Sequence, residues 1–300
     1  MAEIELGINN SFAAKNWPEP RAWARIVAEE LGLCHVQFSF DLLDPTLPEP
    51  GLSVLCDEVL AAVESYSLRL RTTFTGSIAY AQNLLAHPNA IFRSQAQQWF
   101  EAALDVTGKL GAAGTGGHIG AMSVADYLDP DRRDLVRNGV VEVVRELTQR
   151  AAAAGQRYFL WELMPSPRET PHVPAEAIDL LQEVNAGAAV PVMLCFDLGH
   201  CCAFDLAVPG DPHRWLEELL PWTRMVHIQQ TDGAGDRHWP FTPEYEKVGI
   251  INPQRVVEIA RSSPLERVDL VFEIGHSPES EAGRIIDDHK CSVDAWKKWL

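Results

Sequence analysis

The chain has 300 residues, 46% of them hydrophobic and 22% charged, which is ordinary for a globular protein and enough to bury a large core. Its formal net charge of -17 argues against a nucleic-acid partner, because phosphate backbones are held mainly by Lys and Arg, yet suits a site where carboxylates gather around a cation. The start Met1-Ala2-Glu3-Ile4-Glu5 lacks a basic and apolar leader, no run reaches membrane length, and the six cysteines form no Cys-x-x-Cys pattern, so a cytoplasmic protein with reduced thiols and no membrane partner is expected.

In chain order, Ile4 to Ile8 reads as a first strand, stopped by the turn residues Asn9-Asn10-Ser11. Pro18 opens a helix with Trp23, Ile26, Val27 and Leu31 at helical spacing, and Gly32 closes it. His35 to Phe40 is the second strand. A Pro-rich loop leads from it to a helix carrying Leu52, Leu55, Val59 and Val63. Leu68 to Phe74 is the third strand, and a long helix runs from about Ile91 to Leu110. The glycine-rich stretch Ala112 to Gly120 lacks the Lys-Ser/Thr end of a phosphate loop, so it reads as a short fourth strand with His118 at its rim.

Val136 to Ala154 follows as an amphipathic helix with Val140, Val143, Val144 and Leu147 in register. Tyr158-Phe159-Leu160-Trp161-Glu162 is the fifth strand, and a helix from Ala175 to Val184 leads to the sixth, Val192 to Asp197, with Gly199 and His200 just beyond. Trp215 to Leu220 is helical, Met225 to Gln229 is the seventh strand, and Thr231 to Gly249 is a loop long enough for a lid or substrate contacts. A helix over Val256, Val257 and Ile259 precedes the eighth strand, Val268 to Glu273, and the last helix carries Trp296 and Trp299. Alternating strands and helices without a linker give one domain over residues 1–300, a single (β/α)8 TIM barrel. An open doubly wound sheet is disfavoured by the missing dinucleotide fingerprint.

In such a barrel the carboxyl ends of the strands form the rim where ligands bind, and four consecutive strands end on or near Glu162, Asp197, His227 and Glu273. Three carboxylates and one imidazole make a hard, oxygen-rich donor set. It suits Mn²⁺, Mg²⁺ or Co²⁺ better than a structural zinc site built on thiolates.

The segments Trp161-Glu162, Asp197-Leu198-Gly199-His200, His227-Ile228-Gln229 and Phe272-Glu273-Ile274-Gly275 resemble the ligand-bearing strand ends of the xylose-isomerase-like barrels, a family with ketose 3-epimerases and sugar-phosphate isomerases. The resemblance implies one ion, Mn²⁺ first, on Glu162, Asp197, His227 and Glu273, with Glu162 and Glu273 as acid and base and His200 as a substrate contact. On that resemblance the ion would acidify the proton beside a ketose carbonyl and steady the enediolate left by its removal; return of the proton to the opposite face gives an epimer, and return to the adjacent carbon gives an isomer. His118, Gln229, Arg237 and Arg168 are the further candidates for substrate binding, and Arg168, Arg237 and Lys247 could meet a phosphate or carboxylate. The expected partner is a small keto sugar, sugar phosphate or sugar acid, and barrels of this type often pair as homodimers.

Three alternatives follow from the same residues. A 3-oxo sugar acid would lose carbon dioxide on the same metal site. Asp236-Arg237-His238 resembles a motif of endonuclease IV-type apurinic endonucleases, where His118 and His238 would supply extra zinc ligands, although Ser39 and Asp41 stand where that family places another histidine. A non-catalytic sugar-binding barrel would leave substrate protons unexchanged with solvent.

Overall fold

In the computed structural model, which describes residues 1–202, 209–277 and 279–300, the strand expectations fall into place with small shifts at their ends. The strands are β1 (Glu3–Asn9), β2 (His35–Ser39), β3 (Arg69–Phe74), β4 (Gly114–Gly117), β5 (Tyr158–Leu163), β6 (Val192–Asp197), β7 (Thr223–Ile228) and β8 (Arg267–Phe272). They lie in the order β3-β2-β1-β8-β7-β6-β5-β4, and each pairing in the ladder is parallel. Two backbone bonds draw β3 to β4, from Ala113 N to Arg71 O at 2.9 Å and from Thr75 N to Gly116 O at 3.0 Å. The sheet thus closes on itself as a single (β/α)8 barrel.

Glycines make the narrowest strand, β4, workable. Gly116 has φ +146°, and a Cβ there would sit 1.9 Å from the Leu160 carbonyl oxygen, so no side chain fits between β4 and β5.

The connecting helices are α1 (Pro20–Arg25), which continues as a wider-turned segment over Ile26–Glu30, α2 (Gly51–Ser65), α3 (Ala90–Lys109), α4 (Val124–Leu128), α5 (Pro130–Ala153), α6 (Pro174–Asn185), α7 (Pro212–Leu219), α8 (Pro253–Arg261) and α9 (Ala282–Lys297). Pro20, Pro130, Pro174, Pro212 and Pro253 each stand at a helix start, where a missing N–H costs nothing and the fixed φ is already helical. This corrects three starts, among them α7, which begins at Pro212 rather than Trp215. The first helix begins at Pro20 rather than Pro18, and α5 begins six residues before Val136, where the Asp129 side chain accepts from Asp131 N and Arg132 N. In α2 the buried stripe is Leu52, Cys56, Val59 and Ala62, while Leu55 faces outward. Two of those inward positions are small, which the larger residues of the apolar pattern concealed.

Two apolar regions result. The larger lies between sheet and helices; in it Trp296 of α9 packs edge-on against Phe241 and Phe272 at centroid distances of 5.2 and 6.2 Å. The smaller lies inside the barrel and contains Phe74, Tyr158, Leu160, Cys195, Met225 and Val271. Side chains alternate faces along a strand, so each inward residue sits two positions from the next. That period carries Leu160 to Glu162, Cys195 to Asp197, Met225 to His227 and Val271 to Glu273, lifting all four from the apolar middle layer to the rim. Among the described residues no helix is long and apolar enough to cross a membrane.

Candidate metal centre and active site

The layer above Cys195 and Met225 is polar and buried. Register places Asp197 opposite His227 across β6 and β7, and Glu162 opposite Cys195 across β5 and β6. The His227 ring rests against Phe74, centroids 4.7 Å apart, and its Nδ1 lies 2.9 Å from Glu273 Oε2, 3.5 Å from Glu162 Oε1 and 3.9 Å from Asp197 Oδ2. One ligand atom from each of the four residues falls within 4.8 Å of the others. Oxygen ligands sit about 2.1 Å from a Mg²⁺-sized ion, which places neighbouring ligands about 3 to 4.3 Å apart, so these separations suit one divalent ion.

Each of the four side chains is anchored by one atom and bare at another. Glu162 Oε2 accepts from Tyr80 Oη at 2.6 Å, Asp197 Oδ1 accepts from Gly199 N at 2.6 Å and Gln229 Nε2 at 2.8 Å, and Glu273 Oε1 accepts from Asn9 Nδ2 at 3.2 Å. His227 Nε2 lies 2.8 Å from Gln37 Oε1. The remaining atoms, Glu162 Oε1, Asp197 Oδ2, His227 Nδ1 and Glu273 Oε2, are buried and make no hydrogen bond. Leaving four such atoms bare in one place costs several kcal/mol by rough count, and a shared cation removes that cost. Burial would lower the His227 pKa, but the Glu273 and Glu162 carboxylates beside its Nδ1 reverse that and hold the imidazole well above its ordinary value. Desolvation likewise raises Asp197. The cluster therefore attracts positive charge. Cys195, the one thiol beside it, is pushed up to about 12 by burial and stays protonated, which leaves a hard donor set.

A second group stands next to this cluster. His200 is fully enclosed, with Nδ1 2.6 Å from Leu163 O and Nε2 3.4 Å from Asp236 Oδ2. Asp236 Oδ2 is also 3.0 Å from His238 Nε2. Burial opposes a charged His200, yet Asp197 and Asp236 hold its pKa well above the ordinary value. The long loop after β7 delivers Asp236 and His238. Gln230 and Trp239 pair backbone to backbone at 2.8 and 3.0 Å, folding the loop over the rim, and His238 takes a left-handed φ of 49° there.

The remaining candidates have other attachments. Gln229 is buried and bonds Asp197, Asp236 at 2.7 Å and the His238 backbone, so it braces both groups rather than facing a substrate. Gly199 makes that possible, since a Cβ there would stand 2.4 Å from Gln229 Cδ. His118 is buried, its Nε2 3.3 Å from Gln82 O, and it stacks behind Tyr80 at 5.3 Å. Arg168 donates to Met122 O at 2.7 Å and, with Trp161, lines a small cavity outside the four-residue cluster. Arg237 pairs with Asp232 at 3.0 and 3.1 Å and lies over Trp239, and Lys247 is exposed. Asp41 bonds the backbone amides of Ser77 and Ile78 at 2.8 and 3.1 Å. That position and His118 are thus engaged elsewhere, which counts against the multi-zinc nuclease arrangement.

Sequence reasoning did not reach Tyr80, Asn9 or Gln37 as site residues. Gln37 and Asn9 had one usable signal, since both lie on the inward face of a strand near its carboxyl end. Tyr80 sits in a loop with no pattern to single it out. Asp236 and His238 are visible in the sequence only through the nuclease resemblance, whereas Arg237 between them is also a substrate-binding candidate.

Comparison with known proteins agrees with this geometry. The model of the xylose isomerase-like TIM barrel family matches residues 26–292. A D-erythrulose 1-phosphate 3-epimerase from Brucella abortus (strain 2308) is 25% identical over 258 residues, covering 85% of this chain and 83% of that protein. A Rhodospirillum rubrum ATCC 11170 protein provisionally described as a xylose isomerase superposes with a TM-score of 0.91 at 30% identity, over 99% of this chain and 100% of that one. D-psicose 3-epimerase from Clostridium cellulolyticum H10 shares the fold with a TM-score of 0.74 at 15% identity, over 99% of both chains.

Proposed function

The chain belongs to the xylose isomerase-like TIM barrel family, and from that premise we propose that it is a divalent-metal-dependent 3-epimerase of a small ketose or ketose phosphate. Its broader character as a sugar isomerase or epimerase is supported by the Brucella 3-epimerase relative. The observation that carries the metal reading is the set of four buried, unpartnered atoms on Glu162, Asp197, His227 and Glu273 that face one another. Mn²⁺ is the ion we favour, with Mg²⁺ and Co²⁺ the same class of fit.

When bound, the ion would supply Lewis-acid stabilisation of negative charge on the sugar oxygens. The protein supplies the rest. Glu162 and Glu273 come from strands β5 and β8, on opposite sides of His227 in the sheet order, so one carboxylate can take the C3 proton while the other returns a proton to the opposite face. Tyr80 and Asn9 each hold one oxygen of these glutamates and so fix the direction of the other. His200 is oriented by its bond to Leu163 O and presents Nε2 beside Asp236, where it can donate to a substrate oxygen. Burial of Glu162, Asn9 and His200 limits the bulk water that could compete for the enediolate.

The test is a panel of ketoses, ketose 1-phosphates and 3-oxo sugar acids, incubated with the protein and Mn²⁺, Mg²⁺ or Co²⁺ in deuterated water and read by mass spectrometry and chiral separation. The expected result is deuterium at C3 with formation of the C3 epimer, and D-erythrulose 1-phosphate is the first substrate to try. An aldose product would replace the epimerase reading with an isomerase, carbon dioxide release would replace it with a decarboxylase, and no exchange on any member would point to a binding barrel.

A further inference from the structure

We propose that Asn9 and Gln37 are positioning residues of the metal centre, joined in a chain of hydrogen bonds that runs from a backbone amide to His227 and decides which of its ring nitrogens faces the carboxylates. The inference rests on the reading above, that Glu162, Asp197, His227 and Glu273 hold a divalent ion.

The chain is fixed by donor and acceptor identity at every step. The Ser11 backbone N–H can only donate, so the Asn9 atom 2.9 Å from it is the amide oxygen, and the other end of Asn9 is its NH₂ group. That NH₂ lies 3.0 Å from Gln37 and 3.2 Å from Glu273 Oε1. It can only donate, so the Gln37 atom it meets must be the carbonyl oxygen. The same oxygen is 2.8 Å from His227 Nε2, which must then carry the ring hydrogen. Metal binding takes the neutral imidazole, which has one N–H, so with that hydrogen on Nε2 it is Nδ1 that offers its lone pair toward Glu162, Asp197 and Glu273.

Nothing on the other side competes. The Gln37 amide nitrogen turns to the Met225 sulfur at 2.9 Å, a weak acceptor that leaves the carbonyl end free for Asn9 and His227. Asn9, Gln37 and His227 are all buried, so bulk water does not replace a lost partner. Asn9 acts twice, since its bond to Glu273 Oε1 also leaves Oε2 as that residue's free ligand atom. One asparagine on β1 thereby orients two of the four ligands, from strands β7 and β8.

The test is Mn²⁺ affinity of the full chain, measured by competition with a chelator, for wild type, Gln37→Leu, Gln37→Glu and Asn9→Ala, with folding followed by circular dichroism. Loss of a hydrogen-bond partner behind a metal-bound histidine typically weakens metal binding about 10- to 100-fold, and that is the expected effect of Gln37→Leu. Gln37→Glu is expected to stay within about threefold of wild type, because a carboxylate still accepts from both the His227 N–H and Asn9. Gln37→Leu within threefold of wild type would overturn the proposal, as would Gln37→Glu losing as much as Gln37→Leu, which would mean that only packing matters. If Gln37→Leu does not fold, Asn9→Ala carries the test: a tenfold loss supports the chain and a change below threefold refutes it. A folded wild type that takes up no divalent ion would instead overturn the metal reading on which the proposal rests.

Discussion

Replacing Glu162 or Glu273 with Gln tests the two-base chemistry most directly. In Glu162→Gln the volume is kept and Tyr80 retains a neighbour, since a hydroxyl can donate to an amide oxygen or accept from an amide nitrogen as well as it donated to Glu162 Oε2 at 2.6 Å. The charge and the proton-accepting group are lost. Removing a positioned acid or base typically costs about 10²- to 10⁴-fold in rate, or roughly 3 to 5 kcal/mol in the barrier. The same range is expected for Glu273→Gln, whose partner Asn9 can be accommodated in the same way. The assay is epimer formation and deuterium incorporation at C3 in deuterated water, at metal concentrations that saturate each variant, with metal content measured in parallel. Each variant should fail to interconvert the epimers, and any surviving exchange should be confined to one epimer, the one whose proton faces the remaining glutamate. If both variants keep rates within tenfold of wild type while holding metal, neither glutamate is the acid or base.

Four further outcomes follow. Asp197→Asn should lower Mn²⁺ affinity by more than roughly 100-fold, beyond what is usual for changes behind a ligand, because it removes a charge from the bare Oδ2 that faces the cluster; competition against a chelator measures it. His200→Asn should leave metal content near wild type while lowering kcat/KM by about tenfold or more, and loss of metal in this variant would make His200 a ligand instead. Trp296→Ala should cost about 3 to 5 kcal/mol in chemical denaturation, since the indole is fully buried between Phe241 and Phe272. Burial holds the pKa of His289 at about 4, below its ordinary 6.5, so the unfolded chain takes up this proton first and stability is lost as pH falls from 6.5 to about 4, by roughly 3 kcal/mol in all. His289→Phe should remove that part of the acid slope, and an unchanged difference in stability between pH 7 and pH 4 would refute it.

Most of the fold was readable because a barrel repeats one rule. Apolar runs such as Leu194-Cys195-Phe196 are buried on both faces, so their ends point to a rim, and metal-competent residues at the ends of four consecutive strands point to a candidate site. The helix starts were missed where a stronger local signal stood a few residues away. Asp129-Pro130 is a better start than the first large apolar residue, Val136, because capping and a fixed φ act before packing does. The cationic substrate candidates illustrate a different limit of sequence. A sequence shows that Arg168 and Arg237 are charged but not that Met122 O and Asp232 already engage them.

The residues that escaped notice share a chemistry. Asn9 and Gln37 are neutral amides at the inward, carboxyl-terminal positions of β1 and β2, the same layer that carries Asp197 and His227 on β6 and β7. A search by metal-ligating type passes over them, because an amide that orients a ligand needs only a donor and an acceptor at the right ends. The two-residue period would have found them. With β1 between β8 and β2 in the sheet order, Asn9 stands within hydrogen-bond reach of both Glu273 and Gln37. On the proposed reading the barrel divides its rim between strands that would supply ligands, β5 to β8, and strands that would aim them, β1 and β2. The remaining neighbours of the cluster come from loops, Tyr80 after β3 and Asp236 with His238 after β7, and there no strand period exists to read.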